Sequence, residues 1–244
     1  MTELAGGAGR AVKRLLVVTV TKGYRHESIG TAEKVLADLA EKTGAFTLDH
    51  AGTDDDLALK MTPEGLKQYD GVFFANTTGD LPIPDKQAFI DWVHAGHGFI
   101  GAHSASDTYH NFPAYLDMLG GEFKMHGNQV PVTVLVADSR FPGTEHLGKT
   151  IDIPMEEIYI IQKFLGDQVR LLLYLDKHPN DHTPGLYPMS WARKFGKGRV
   201  FYTALGHRDE VWNAPWFGEH LLGGVRWALG LAKGDVHPKP LPTV

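Results

Sequence analysis

Three histidines, His26, His103 and His207, each stand within a few residues of the end of a short apolar run, and a fourth, His126, follows the Gly120-Gly121 turn. Hydroxyls and carboxylates sit beside them: Glu27 and Ser28, Ser104 and Asp107, and Asp209. Neutral imidazoles with a carboxylate suit two kinds of chemistry. They bind zinc or a similar divalent ion while leaving a position open for water. Alternatively, one imidazole works as general acid or base near neutral pH, oriented by Asp107, Asp209 or Glu157. Neither an HExxH motif nor a tight HxH pair is present, so both chemistries stay open. The candidate metal set is His26, His103, His126 and His207, and the candidate catalytic set is His103, His207, Asp107 and Glu157. His50, His94, His97, His178, His182, His220 and His237 read as surface or core residues satisfied by backbone carbonyls.

Glu156 and Glu157 are neighbours on a strand-like stretch, so only one is expected to point inward. Glu157 is taken as the inward one and Glu156 as a solvated charge. Gly101-Ala102-His103-Ser104 follows a buried strand as a tight turn built like a nucleophile elbow, although the GxSxG pattern is not met. Ser104 as a nucleophile would define a serine hydrolase, but capping of the following helix is the expected role of its hydroxyl. Tyr24, Asn76, Ser104 and Trp212 are the candidate substrate contacts.

These residues need a scaffold that gathers them. Lys13–Thr21, Phe46–Ala51, Gly71–Asn76 and Gly98–Ala102 read as strands, with helical spacing at Ile29–Lys42, a Thr62-capped start at Pro63, and Pro84–Ala95. An acidic turn is expected at Asp54 to Asp56. The alternation predicts a doubly wound, mainly parallel α/β sheet, in which ligands bind where loops converge at the carboxyl ends of the strands. Strand character at Val130–Ala137, Glu157–Gln162, Val169–Asp176 and Met189–Arg193 predicts an antiparallel, β-rich extension. The sheet then resumes at Arg199–Leu205 and closes with a helix at Trp216–Leu231.

The 244 residues are expected to form one domain, 1–244. A net charge of -5 without a basic stripe argues against nucleic acid as a partner. Cysteine is absent, which removes disulfides, thiolate ligands and any cysteine nucleophile. No apolar run reaches the ~20 residues that span a bilayer, so no membrane association is expected. The first fourteen residues have no apolar h-region, so no secretory signal is read and a cytoplasmic location is expected. Trp and Leu residues on the last helix leave a homo-oligomer open.

From about Lys13 to Leu231 the chain resembles the ThuA-like, or trehalose-utilisation, family. The likeness rests on Tyr24-Arg25-His26-Glu27-Ser28, Gly101-Ala102-His103-Ser104-Ala105-Ser106-Asp107-Thr108, Gly120-Gly121-Glu122-Phe123 with His126, Glu156-Glu157-Ile158-Tyr159, and Gly198 to His207. It implies a flavodoxin-like, three-layer fold similar to class I glutamine amidotransferases, with His103 where their cysteine would sit. Glutaminase chemistry of that type is therefore excluded. The likeness further implies a small-molecule carbohydrate as partner, such as a disaccharide or an oxidised sugar derivative, and the leading reading of the histidines is a hydrolase or lyase acting on it. The expected cofactor is a divalent metal, zinc first, and no nucleotide cofactor is expected. The reading from a different class is a non-catalytic sugar-binding or regulatory module on a degenerate amidotransferase scaffold.

Overall fold

Alternate residues of the first strand supply two cores. In β1 (Lys13–Val18), Leu15 and Val17 pack on one face of the sheet, and Leu16 and Val18 on the other. A strand apolar on both faces must be covered on both, which requires helices above and below. The computed structural model describes residues 12–244 and bears this out. The chain continues through α1 (Ile29–Thr43), β2 (Phe46–Ala51), α2 (Asp54–Lys60), α3 (Pro63–Leu66), β3 (Gly71–Ala75), α4 (Lys86–His94) and β4 (Gly98–Ala102). After a 3-10 turn at His103–Asp107 come α5 (Pro113–Leu119), β5 (Glu122–His126), β6 (Val130–Val136), β7 (Thr150–Glu156), β8 (Tyr159–Gln162), β9 (Arg170–Lys177), β10 (Pro184–Phe195) and β11 (Gly198–Thr203). The chain closes with α6 (Asp209–Trp212) and α7 (Pro215–Ala228).

Nine strands form one sheet in the order β2-β1-β3-β4-β11-β10-β9-β6-β7, and β5 and β8 make a separate antiparallel ribbon. The first five strands are mutually parallel, and their order is that of a flavodoxin-like sheet. β10, β9, β6 and β7 extend it antiparallel. Buried residues of α1 and α7, among them Leu36, Phe217, Leu221 and Val225, cover one face. Leu57, Leu66, Phe89, Val93 and Tyr115 from α2 to α5 cover the other. The fold is thus the expected three-layer α/β architecture. No helix among the described residues is long and apolar enough to cross a membrane.

Some local expectations need correction. Asp54 to Asp56 is not a turn but the first turn of α2. Thr53 accepts from the Asp56 N–H and the Asp56 carboxylate answers in a capping box, so the acidic run suits the helix's positive end. The helix expected at Pro84–Ala95 is shorter, because Asp85 caps it by accepting from the Ala88 N–H. β7 carries no strand signal beyond alternation and contains Pro154. It lies at the edge of the sheet, where a missing N–H is tolerated. The Trp and Leu residues of the last helix are largely spent on the core, with Leu221 and Trp227 buried and Trp216 and Leu222 partly so.

His220 of α7 has its Nδ1 2.9 Å from the Gly143 carbonyl oxygen and its Nε2 3.2 Å from Ser190 Oγ. Burial pulls its pKa down to about 4. A histidine that resists protonation when folded stabilises fully above its unfolded pKa and loses that contribution as pH falls from about 6.5 towards 4. His220→Gln is expected to shrink the stability gap between pH 7.5 and pH 5 by about 2 kcal/mol, read from urea unfolding at the two pH values. An unchanged gap would remove His220 from the acid response.

Candidate active site

The carboxyl ends of β1, β4 and β11 deliver one imidazole each. His103 is the first residue after β4, with φ +47°. This left-handed conformation is uncommon outside glycine, although histidine adopts it more readily than most residues, and it turns the ring back over the strand ends. From β11, the Tyr202 hydroxyl donates to the His103 carbonyl at 2.7 Å and lies 2.8 Å from Ser106 Oγ, clamping the turn. His26 comes from the loop after β1 and is buried. His207 follows Gly206, whose φ of +114° only glycine adopts readily. The Gly206 carbonyl accepts from Asn76 Nδ2 (2.9 Å) and Trp212 Nε1 (2.7 Å).

The three rings meet. His103 Nε2 lies 3.1 Å from His26 Nε2 and 3.3 Å from His207 Nδ1. Glu157, between β7 and β8, completes the group, with Oε2 3.3 Å from His207 Nδ1 and 3.7 Å from His103 Nε2. One ligand atom from each of His26, His103, Glu157 and His207 falls within 4.8 Å of the others. Bonds of about 2.0–2.1 Å to a tetrahedral ion imply ligand separations of about 3.3–3.4 Å, and the contacts of 3.1 and 3.3 Å among His26, His103, His207 and Glu157 lie close to that spacing, with Glu157 and His103 slightly wider at 3.7 Å. His103 Nδ1 is 2.9 Å from the Ala204 carbonyl oxygen, which fixes the proton on Nδ1 and leaves Nε2 bare towards the centre. Burial, then the His207 ring, lowers the His26 pKa to about 4. Burial and the neighbouring His26 hold His103 well below the usual imidazole range. Both rings are neutral at pH 7, the state needed by a ligand or a base.

His126 stands at the rim, exposed, with Nδ1 3.3 Å from Glu157 Oε1 and outside the four-residue group. Glu157 takes the place that sequence reasoning gave to His126. Glu156 is not a solvated charge, as expected from alternation, because the strand ends there and both glutamates turn inward. Its Oε1 accepts from the His207 and Glu157 N–H groups at 2.9 and 3.1 Å, and burial pushes its pKa up to about 8. Ser104 does not cap the turn. Ala102 holds that position without a side-chain bond, and Ser104 Oγ is 3.3 Å from His26 Nδ1.

A cavity of about 340 Å³ opens beside the rings, lined by Tyr24, His26, Asp107, Phe123, His126, Gln129, Glu157, Tyr159 and His207. Phe123 and Tyr159 form an aromatic wall, their ring centroids 4.2 Å apart. Asp107 is held by His110, a residue that sequence reasoning did not weigh. His110 Nε2 is 2.6 Å from Asp107 and Nδ1 2.8 Å from Glu122. Burial works against the His110 cation, but its two carboxylate partners outweigh it and raise its pKa. His110 follows the end of the 3-10 turn and an extended Thr108, so its spacing from Asp107 carried no helical signal for this contact. A second hollow of about 260 Å³ adjoins, sharing Tyr24, Gln129 and His207 and adding Arg208 and Glu210. Gln129 carried no sequence signal at all.

Asn76 and Trp212 are not on the cavity lining but are buried beneath it, tying down Gly206. Asn76 has φ +53° and donates to both Gly206 O and Ser28 Oγ. Asn76→Ala loses two buried hydrogen bonds and places alanine in a left-handed conformation. It is expected to cost about 2 kcal/mol in denaturant unfolding, and a loss below about 0.5 kcal/mol would contradict this.

Residues 14–228 match the sequence profile of the family described as ThuA, trehalose utilisation. A ThuA-like protein from Parabacteroides merdae ATCC 43184 superposes with a TM-score of 0.73 at 18% identity, covering 89% of this chain and 90% of that one. One from Bacteroides uniformis ATCC 8492 gives 0.72 at 22%, covering 93% and 95%. The fold also matches part of a beta-galactosidase from Bacillus circulans sp. alkalophilus, with a TM-score of 0.55 at 13% identity over 89% of this chain and 30% of that one. No curated protein matches the sequence.

Proposed function

The chain belongs to the ThuA, or trehalose-utilisation, family, and from that premise we propose that it processes a disaccharide or an oxidised sugar derivative as a hydrolase or lyase at the histidine–glutamate centre. The observation that carries the reading is the convergence of His26, His103, Glu157 and His207 from four separate segments beside an aromatic-walled cavity. These four residues would hold a divalent metal, zinc foremost by its preference for imidazole and carboxylate. When bound, such an ion supplies Lewis acidity and an acidified water.

The protein's own groups do the rest. Phe123 and Tyr159 offer apolar faces to a sugar ring. The Asp107 carboxylate, steadied by His110, accepts a hydrogen bond or a proton from a sugar hydroxyl. Without a metal, Glu157 and His207, 3.3 Å apart, are the pair able to take up or return a proton. Two adjoining hollows leave room for a substrate of two rings.

The test combines anomalous scattering at metal edges with turnover of a disaccharide panel, before and after chelation. A metal-free, chelator-insensitive enzyme would leave imidazole acid–base chemistry alone. Sugar-dependent thermal stabilisation without turnover, unaltered in His103→Asn, would favour the non-catalytic binding module instead.

A further inference from the structure

We propose that Gln129 and Arg208 together set which ring nitrogen of His207 carries the proton, and thereby restrain metal uptake at the histidine–glutamate centre; the inference rests on the metal reading above. Arg208 Nη1 donates to Gln129 Oε1 at 2.7 Å. A guanidinium only donates, so the amide oxygen must face it. The amide nitrogen is then left facing His207 Nε2 at 2.9 Å. An amide nitrogen also only donates, so Nε2 must be the bare nitrogen and the ring proton belongs on Nδ1. That proton points at Glu157 Oε2 and His103 Nε2, both 3.3 Å away.

Nδ1 is the atom that His207 turns towards the other three ligands. For His207 to serve as a neutral ligand, its proton must pass from Nδ1 to Nε2, with no net release. Two donors, Nε2–H and the amide NH2, would then oppose each other across 2.9 Å. Turning the amide over presents Oε1 to His207 but sets NH2 against Arg208, so that contact must open. Arg208 has somewhere to stay, because Glu210 accepts from its Nε at 3.0 Å and from its Nη2 at 2.9 Å. The Gln129–Arg208 hydrogen bond and ligation by His207 therefore oppose each other, and the coupling is reciprocal. Partners behind a metal-bound histidine commonly change affinity 10–100-fold, and here the partner is held in the opposing sense.

Zinc titration by calorimetry against a competing chelator, at pH 7.5, compares wild type with Gln129→Glu and Arg208→Met. A carboxylate at 129 accepts from both neighbours, and Gln129→Glu is expected to tighten zinc binding about tenfold or more. Arg208→Met frees the amide to turn and is expected to tighten binding about threefold or more. Because both variants also change charge, nitrogen-15 NMR of metal-free protein gives an independent reading. His207 is expected to be the Nδ1–H tautomer in wild type and to shift towards Nε2–H in Arg208→Met. Zinc affinities within twofold of wild type in both variants, or an Nε2–H tautomer in the metal-free wild type, would overturn the inference while leaving the metal reading intact. Absence of zinc binding in all three proteins would overturn both.

Discussion

His103→Asn is expected to weaken zinc binding by at least about 100-fold, since loss of a ligand should exceed the 10–100-fold effect of losing a group behind one. Asparagine is the informative replacement because it tolerates the left-handed backbone at this position, where alanine would add strain. His103 Nε2 is the atom closest to both other imidazoles, so its removal opens the centre of the group and not its edge. His110→Asn serves as the control. His110 acts on Asp107 and Glu122 and touches none of the four ligands, so zinc affinity should stay within about threefold of wild type. The measurement is competitive calorimetry, with circular dichroism to confirm that both variants fold. Equal affinity in His103→Asn and wild type would place any bound zinc elsewhere.

Asp138→Ala should lower stability by about 3 kcal/mol, because it leaves a buried guanidinium with only the largely exposed Asp235 carboxylate, 3.7 Å away. Arg170, at the start of β9, is 2% exposed, and its Nε and Nη2 donate to Asp138 Oδ2 at 2.8 and 2.6 Å. Arg170 Nη1 also donates to the His237 carbonyl at 2.9 Å, fastening the tail to the extension. The same extension carries β7 and so delivers Glu157 to the histidines. Urea unfolding of Asp138→Ala and of the double variant Asp138→Leu/Arg170→Met separates the causes. The double variant should recover most of the loss, because replacing both charges removes the uncompensated one. A single-variant loss under 1 kcal/mol would show that water reaches Arg170.

Much of the parallel half was legible because its determinants are local. β1, β3 and β4 are continuous apolar runs closed by polar loops, and a strand covered on both faces has no other composition available. Their order along the chain implied parallel pairing, and parallel pairing implied one rim at which the following loops gather. The antiparallel half was read only in outline. β7 alternates weakly and contains a proline, and the β5–β8 ribbon is held by pairing between segments more than thirty residues apart. Pairing of that kind leaves little trace in either partner.

What the sequence by itself determined was the inventory and its rough address: histidines placed at strand ends, no thiol chemistry, and a doubly wound, mainly parallel α/β frame to carry them, which the family resemblance narrowed to a flavodoxin-like one. What only the tertiary structure decided was the company each side chain keeps. It set Glu157 in place of His126 beside the three rings and turned Glu156 inward. It also put His110 behind Asp107 and aimed the Gln129 amide at His207. The reason is physical. Strand periodicity states which face a residue occupies, whereas contacts of about 3 Å depend on how distant loops fold over the strand ends.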